Sequence, residues 1–192
     1  QWMRAWYYPR EGESFQQTIN REVHATRHYA GLLDASTLGK IDVKGPDAAE
    51  FLNRVYTNNF ATLPIGKCRY GLMLKEDGMV FDDGVTTRLA EDHFYMTTTS
   101  GGAAGVLAWL EELLQTEWSD LNVYLTSVTE QWSVASLSGP NAKAILKASM
   151  SEDTDITDDF PFMTMKDSFI AGLPVRIFRI SFTGEMSFEL NV

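Results

Sequence analysis

The sequence predicts an α+β fold of ferredoxin-like α/β halves with antiparallel sheets. Two observations carry this. The first is a faint internal repeat. Val43-Lys-Gly-Pro-Asp-Ala-Ala-Glu-Phe-Leu52 matches Leu137-Ser-Gly-Pro-Asn-Ala-Lys-Ala-Ile-Leu146. Each copy reads as strand, Gly-Pro, Asx, helix, with proline in the first turn, where its missing N–H is harmless; a good helix start used twice explains the match equally. The second is a run of extra strands around the two copies, with Asp77-Gly78 as a hairpin turn between apolar segments.

The elements follow in order. Residues 1–12 are aromatic and turn-rich (Trp2, Trp6, Tyr7, Tyr8, Pro9, Gly12) and read as an arm packing on a body. Ser14 and Gln17 form a capping-box signature. Phe15, Ile19, Val23 and Tyr29 then recur near helical spacing, with Gly31 as the stop. Ile41–Val43 is a short strand, and Ala48, Ala49, Phe51, Leu52 and Val55 make one apolar helix face. Cys68–Lys75, Val80–Arg88 and His93–Thr99 form a three-strand meander. Gly101–Leu114 is a helix, Leu121–Val128 and Trp132–Leu137 are strands, and Asn141–Ala148 is a helix. The acid-rich stretch Ser151–Asp159 reads as a solvated loop. Val175–Phe182 and Met186–Leu190 close the series as strands. The expected organisation is an N-terminal arm and helix over 1–38 and a main domain over 39–192. The start at Gln1 and the stop inside a strand suggest a piece of a longer polypeptide.

Composition narrows the function classes. The chain has 192 residues, 44 % hydrophobic, with 16 Lys and Arg against 26 Asp and Glu, a net charge of −10. The few dispersed cations argue against a nucleic-acid surface. No apolar run approaches spanning length, so no membrane segment is expected. The single Cys68 excludes an internal disulfide framework and suits a reducing, cytoplasmic setting, where it reads as a small core hydrophobe.

Four features could carry chemistry. Asp82 and Asp83 are adjacent in a strand, so they point to opposite faces and one must turn inward or into a cleft. An inward carboxylate is costly unless it has a donor or a task; the plain alternative is a wet strand end beside Gly84. His24 and His28 lie four apart on a helix, a metal-compatible spacing, but Arg27 beside them and the lack of a third ligand speak for no metal. Thr97-Thr-Thr-Ser-Gly-Gly102 opens a helix and could bind an anion or a polar ring edge; ordinary capping by Ser100 explains it equally. Glu189, between Phe188 and Leu190, suits a ligand edge with two parallel N–H donors, or is an edge-strand acid on the wet face.

Taken together the pieces resemble a known family. His24-Ala-Thr-Arg27, Ala30-Gly-Leu-Leu-Asp34-Ala-Ser36, Val43-Lys-Gly-Pro-Asp-Ala48, Tyr70-Gly-Leu-Met-Leu74, Asp77 through Asp83, Gly139-Pro-Asn-Ala142 and Thr183-Gly-Glu185 with Glu189 run in the order seen in folate-binding aminomethyltransferase domains of the glycine-cleavage T-protein type. The likeness covers nearly the whole chain and implies the T-protein-like fold. Within that family the chain is most similar to the C-terminal region of alpha subunits of heterotetrameric sarcosine oxidases. The segments that carry this are Trp6-Tyr-Tyr-Pro-Arg-Glu-Gly-Glu-Ser14, Gly31 to Lys40, Val55-Tyr-Thr-Asn58, Cys68-Arg-Tyr-Gly71, Gln115-Thr-Glu-Trp118 and Val128-Thr-Glu-Gln-Trp132.

The resemblance implies a tetrahydrofolate site with Asp82 as the catalytic acid and Glu189 at the pterin edge. It places Tyr70 over the pterin and Thr98 and Thr99 along the ring. It also implies FAD, FMN and NAD elsewhere in a complex with beta, gamma and delta subunits, and production of 5,10-methylenetetrahydrofolate, glycine and hydrogen peroxide. Two departures stand out. Phe182 replaces the tyrosine some members carry seven residues before the pterin glutamate, and the family continues past residue 192, so the fragment alone is expected to be inactive. The competing readings are an aminomethyltransferase proper and a non-catalytic folate-binding or interaction module.

Overall fold

The computed structural model describes residues 3–150 and 160–192. Trp2 and the acid-rich loop expected over Ser151–Asp159 lie outside the described residues. In order, the elements are α1 (Phe15–His28), β1 (Gly31–Asp34), β2 (Gly39–Lys44), α2 (Ala48–Val55), β3 (Cys68–Leu74), β4 (Val80–Ala90), β5 (His93–Thr98), α3 (Ala103–Thr116), β6 (Tyr124–Ser127), β7 (Val134–Ser138), α4 (Ala142–Ser149), β8 (Thr164–Ile170), β9 (Leu173–Arg179) and β10 (Ser187–Asn191). The strands form two five-stranded sheets, ordered β1-β7-β10-β9-β8 and β3-β4-β5-β2-β6. The α+β expectation with antiparallel sheets holds.

The chain divides into two compact units. The first takes residues 1–37, 132–162 and 166–192; the second takes 38–131 and 163–165. In the second, α2 and α3 cover one sheet face, and Ile41, Val43, Phe51, Leu52, Met73, Phe94, Met96 and Leu110 are almost wholly buried there. In the first, α4 packs over Leu137, Val175, Ile177 and Phe188, with Leu146 and Phe160 completing the cluster. Each such side chain adds about 1.5–3 kcal/mol of burial.

The repeat is real in geometry. Gly45 and Gly139 both have positive φ, 129° and 119°. A Cβ would meet the Asn122 carbonyl oxygen at 2.2 Å in one turn and the Thr26 carbonyl oxygen at 2.5 Å in the other. Each turn then closes with a 3.0 Å bond from the alanine that opens the helix, Ala48 to Gly45 and Ala142 to Gly139. The Asp77-Gly78 hairpin also forms: Gly78 has φ 79°, and Met79 N–H donates to Asp77 Oδ1 at 2.9 Å.

Three expectations need correction. Helix α1 stops at His28, and Gly31 opens a strand instead of capping a helix. That strand, β1, has adjacent exposed Leu32 and Leu33 and no alternation to reveal it. Strand β8 was not expected either, because it buries Thr164 and Ser168 rather than apolar residues. Strand β9 ends at Arg179, since Ser181 to Gly184 turn away, with Gly184 at φ 90° and its N–H on Ser181 Oγ at 2.9 Å.

Candidate functional site

Strand pairing decides where the two adjacent acids point. Strand β4 sets Asp82 opposite Met73, Asp83 opposite Leu72 and Val85 opposite Tyr70. Directly opposed residues share a face. Asp82 therefore lies with Met73 on the face that α2 and α3 cover, and is 7 % exposed. Asp83 lies on the other face with Tyr70, half-buried.

The surroundings of Asp82 explain how a buried carboxylate is tolerated. Its Oδ2 accepts the Thr99 N–H at 3.1 Å. Thr99 precedes the 3₁₀ turn Ser100–Gly102 that leads into α3, and neither Thr99 nor Gly102 caps with a side chain. Asp82, 17 residues back, supplies an acceptor at this helix start, where negative charge is favoured. Gly102 faces the acid with no side chain between; a Cβ there would stand 3.8 Å from the carboxylate.

The local approach depends on Gly84 and Thr97. A Cβ on Gly84 would fall 1.9 Å from the Thr97 carbonyl oxygen. The β4–β5 ladder runs only to the Thr86–Met96 pair. Beyond it the Thr97 hydroxyl takes over, accepting from Val85 N–H at 3.2 Å and donating to Val85 C=O at 3.1 Å.

Tyr56 completes this end of the sheet. It is 5 % exposed, and its oxygen accepts from the Thr86 hydroxyl at 3.4 Å. Burial pushes its phenol well above the ordinary value, and the charges of Asp82 and Asp83 add to that. The ring fits because Gly71 has no side chain; a Cβ there would be 2.7 Å from Tyr56 Cδ1.

The other expected residues divide. Thr98 and Thr99 come together with Asp82, although Thr98 is 2 % exposed and is packed against Gly39. Tyr70 stands on the opposite sheet face and donates its O–H to Asp83 Oδ2 at 2.6 Å. That bond raises the phenol pKa. Glu189 belongs to the other unit. It lies in β10, between β7 and β9, so the edge-strand reading fails. It is half-buried, opposite Ser136 on one side and Phe178 on the other. The Ser138 and Ser187 hydroxyls are 2.8 Å apart on the same face. Ser136 and Ser138 also line a pocket of about 470 Å³, together with Phe182 and Thr183.

Elsewhere the candidates are quieter. His24 and His28 are exposed, their rings 4.3 Å apart. Among the described residues no group of three or more His, Cys, Asp or Glu is placed to hold a metal ion. His93 Nε2 is 3.0 Å from Asp42. Cys68 is buried and takes a 3.1 Å bond from the Thr87 hydroxyl. No described helix is long and apolar enough to cross a membrane.

Comparison with known proteins matches this architecture. The GCVT N-terminal domain model covers residues 1–192. The chain is 54 % identical to sarcosine oxidase subunit alpha of Corynebacterium sp. strain U-96, over all of this chain and 20 % of that protein. It therefore spans about a fifth of that curated relative's length. The crystal structure of glycine cleavage system aminomethyltransferase T from Bartonella henselae superposes with a TM-score of 0.78 at 30 % identity, over 91 % of this chain and 45 % of that one. A chain of heterotetrameric sarcosine oxidase from Corynebacterium sp. U-96 shares the fold, with a TM-score of 0.59 at 18 % identity over 90 % of this chain and 82 % of that one. By its sequence along the whole length, and by its two strand–turn–helix units, this chain belongs to the GCVT N-terminal domain family.

Proposed function

We propose that this chain is the tetrahydrofolate-binding region of a sarcosine oxidase alpha subunit, and that it passes the one-carbon unit of oxidised sarcosine to the folate. The observation that supports it most is Asp82: a buried carboxylate at a helix start, donor-bonded on one oxygen, with a bare glycine in front of it. The family supplies the rest of the reading. The carboxylates suit such a ligand's N–H donors by their chemistry, Asp82 in the second unit and the half-buried Glu189 in the first.

Tetrahydrofolate supplies the nitrogen nucleophiles that take up a one-carbon unit. The role of Asp82 is to stabilise positive charge at the reacting nitrogen and accept the proton that is released. The Thr99 N–H holds the carboxylate in place for this. Glu189 orients the ring by receiving its N–H edge, aided by the row of serine hydroxyls beside it. Tyr70, held by Asp83 on the opposite sheet face from Asp82, has no part at the reacting nitrogen in this reading. FAD, FMN and NAD belong elsewhere in the assembly, with the beta, gamma and delta subunits as partners, and the setting is cytoplasmic.

The test uses the assembled enzyme with Asp82→Asn in the full-length subunit. Formation of 5,10-methylenetetrahydrofolate from sarcosine should drop about 10²- to 10⁴-fold, the range for one lost acid–base group, while sarcosine-dependent hydrogen peroxide continues. Unchanged methylenetetrahydrofolate formation rejects the assignment.

A further inference from the structure

We infer that a groove in the second unit, walled by Trp109 and Trp118, seats a short apolar segment of another subunit, flanked there by Lys or Arg. This rests on the sarcosine oxidase reading above and adds a docking surface to it. The groove has a volume of about 690 Å³ and lies between the end of α2, the Lys75–Asp77 turn and the second half of α3. Helix α3 carries more apolar surface than its own unit covers. Val106 and Leu110 are buried, but Leu107, Trp109, Leu113 and Leu114 are only half-buried. A helix that is apolar over so much of its surface belongs inside a larger body. Trp109 and Leu113 lie one turn apart along the groove, and Trp118 follows just past the helix end.

The anchors are already in place. Phe81 meets Trp109 edge-on at 5.0 Å between centroids, and Phe51 meets Trp118 in the same way at 5.9 Å. Arg54 lies over the Trp118 ring at 5.6 Å and is itself held by Glu50 at 2.9 Å. Lys75 lies over Phe81 at 4.8 Å. Propped indoles lose little freedom when a partner arrives, and Trp is among the residue types that most often dominate an interface. The rim sets the partner's charge. Both cations lie on rings of their own unit, whereas Glu76, Asp77 and Glu117 are exposed and none of the three is in an ion pair among the described residues. Three free carboxylates around apolar walls call for Lys or Arg beside the partner's apolar anchor. Sequence position points the same way. Val55 and Trp118 belong to Val55–Asn58 and Gln115–Trp118, two of the segments on which the likeness to sarcosine oxidase alpha subunits rests. They are distant in the chain and meet in this groove. The groove thus goes with the likeness to the multi-subunit enzyme, over and above the fold shared with aminomethyltransferases.

The experiment follows assembly of the full-length subunit with its partner subunits by sedimentation over a dilution series. Glu76→Lys together with Glu117→Lys changes only exposed side chains, so the fold is kept. The pair should raise the concentration at which half of the complex dissociates roughly 5-fold at low ionic strength and hardly at all at high. Trp118→Ala should raise it about 30-fold at either, the scale of one dominant interface residue. Glu117→benzoylphenylalanine, irradiated in the assembled enzyme, should cross-link to a peptide of another subunit that has an apolar residue beside Lys or Arg. If the charge-reversed subunit assembles like the unaltered one at low ionic strength, the proposal falls and the sarcosine oxidase reading stands. A cross-link to a peptide of the same subunit also overturns it, because the subunit then covers its own groove. If the unaltered subunit assembles with no partner, both readings fall.

Discussion

The two units carry the same strand–Gly-Pro-Asx–helix device but hold their key acids in different ways. In the second, Asp82 is nearly sealed, and a backbone N–H at a helix start fixes it. In the first, Glu189 is half-buried in a middle strand, opposite Ser136 and on the face of the Ser138–Ser187 hydroxyl pair. A backbone donor cannot rotate away, so it fixes one oxygen in one place, which suits a group that must meet a reacting atom. A row of hydroxyls can adapt, which suits recognition of a ring edge. The two units thus share the turn but not the way in which an acid is held.

The contrast can be broken most sharply at Asp82. Asp82→Asn should leave tetrahydrofolate affinity within about twofold while one-carbon transfer falls by about 10²–10⁴; a matched loss in both would make Asp82 a binding residue. Next come the two glycines that the units share. Gly45→Ala and Gly139→Ala each force a Cβ onto a backbone carbonyl at positive φ. Each should cost about 2–4 kcal/mol of stability, from strain plus overpacking. Similar midpoint shifts in thermal unfolding would show that the turns are equivalent, whereas one silent glycine would end the equivalence. Glu189→Gln should then weaken folate binding by about 1.5–3 kcal/mol, the worth of a charge-assisted hydrogen bond, with the rate at saturating folate preserved.

The smallest effect concerns the arm of the first unit. The Arg21 guanidinium, with help from the Arg10 N–H, holds the Glu13 carboxyl down from 4.5 to about 2. A lowered folded value means that the contribution is fully present above about pH 4.5 and disappears as pH falls toward 2. Because the pair is exposed, the effect is local. The Arg10 amide donates to Glu13 Oε2 at 3.0 Å, so its protection factor in hydrogen exchange should fall across that window, and Glu13→Gln should show low protection with no such step.

Much of this was legible, and for identifiable reasons. The capping box at Ser14 and Gln17 forms as read, with Ser14 N–H on Gln17 Oε1 at 2.9 Å, because capping is a three-residue affair. The Asp77-Gly78 turn was equally local. The register beyond that turn is not local: Lys75 N–H donates to the Met79 carbonyl, and a bulge between Met73 and Leu74 shifts the ladder so that Met73 meets Asp82 and Tyr70 meets Val85, which sends Tyr70 and Asp82 to opposite faces. Glu189 was seen as a ligand candidate from its apolar neighbours, but its place in a middle strand depends on β7 and β9, which adjacent residues cannot report. The bond from Thr99 to Asp82 was invisible for the same reason: it joins two strand ends 17 residues apart. Strands β1 and β8 escaped because one is too short to alternate and the other buries hydroxyls.

The helix-start role of Asp82 has a mechanical consequence. A carboxylate that takes up a proton keeps its backbone donor only as a neutral acceptor, and a hydrogen bond to a charged group is worth about 1.5–3 kcal/mol against 0.5–1.5 for a neutral one. Each proton received at Asp82 would therefore loosen the first turn ahead of α3, and each proton passed on would tighten it. Turnover would be felt as a small periodic relaxation at the head of a 14-residue rod, Ala103–Thr116. Its far end lies about 20 Å away at 1.5 Å per residue, so in the proposed mechanism the acid would bear on the end of a helix as well as on the reacting atom.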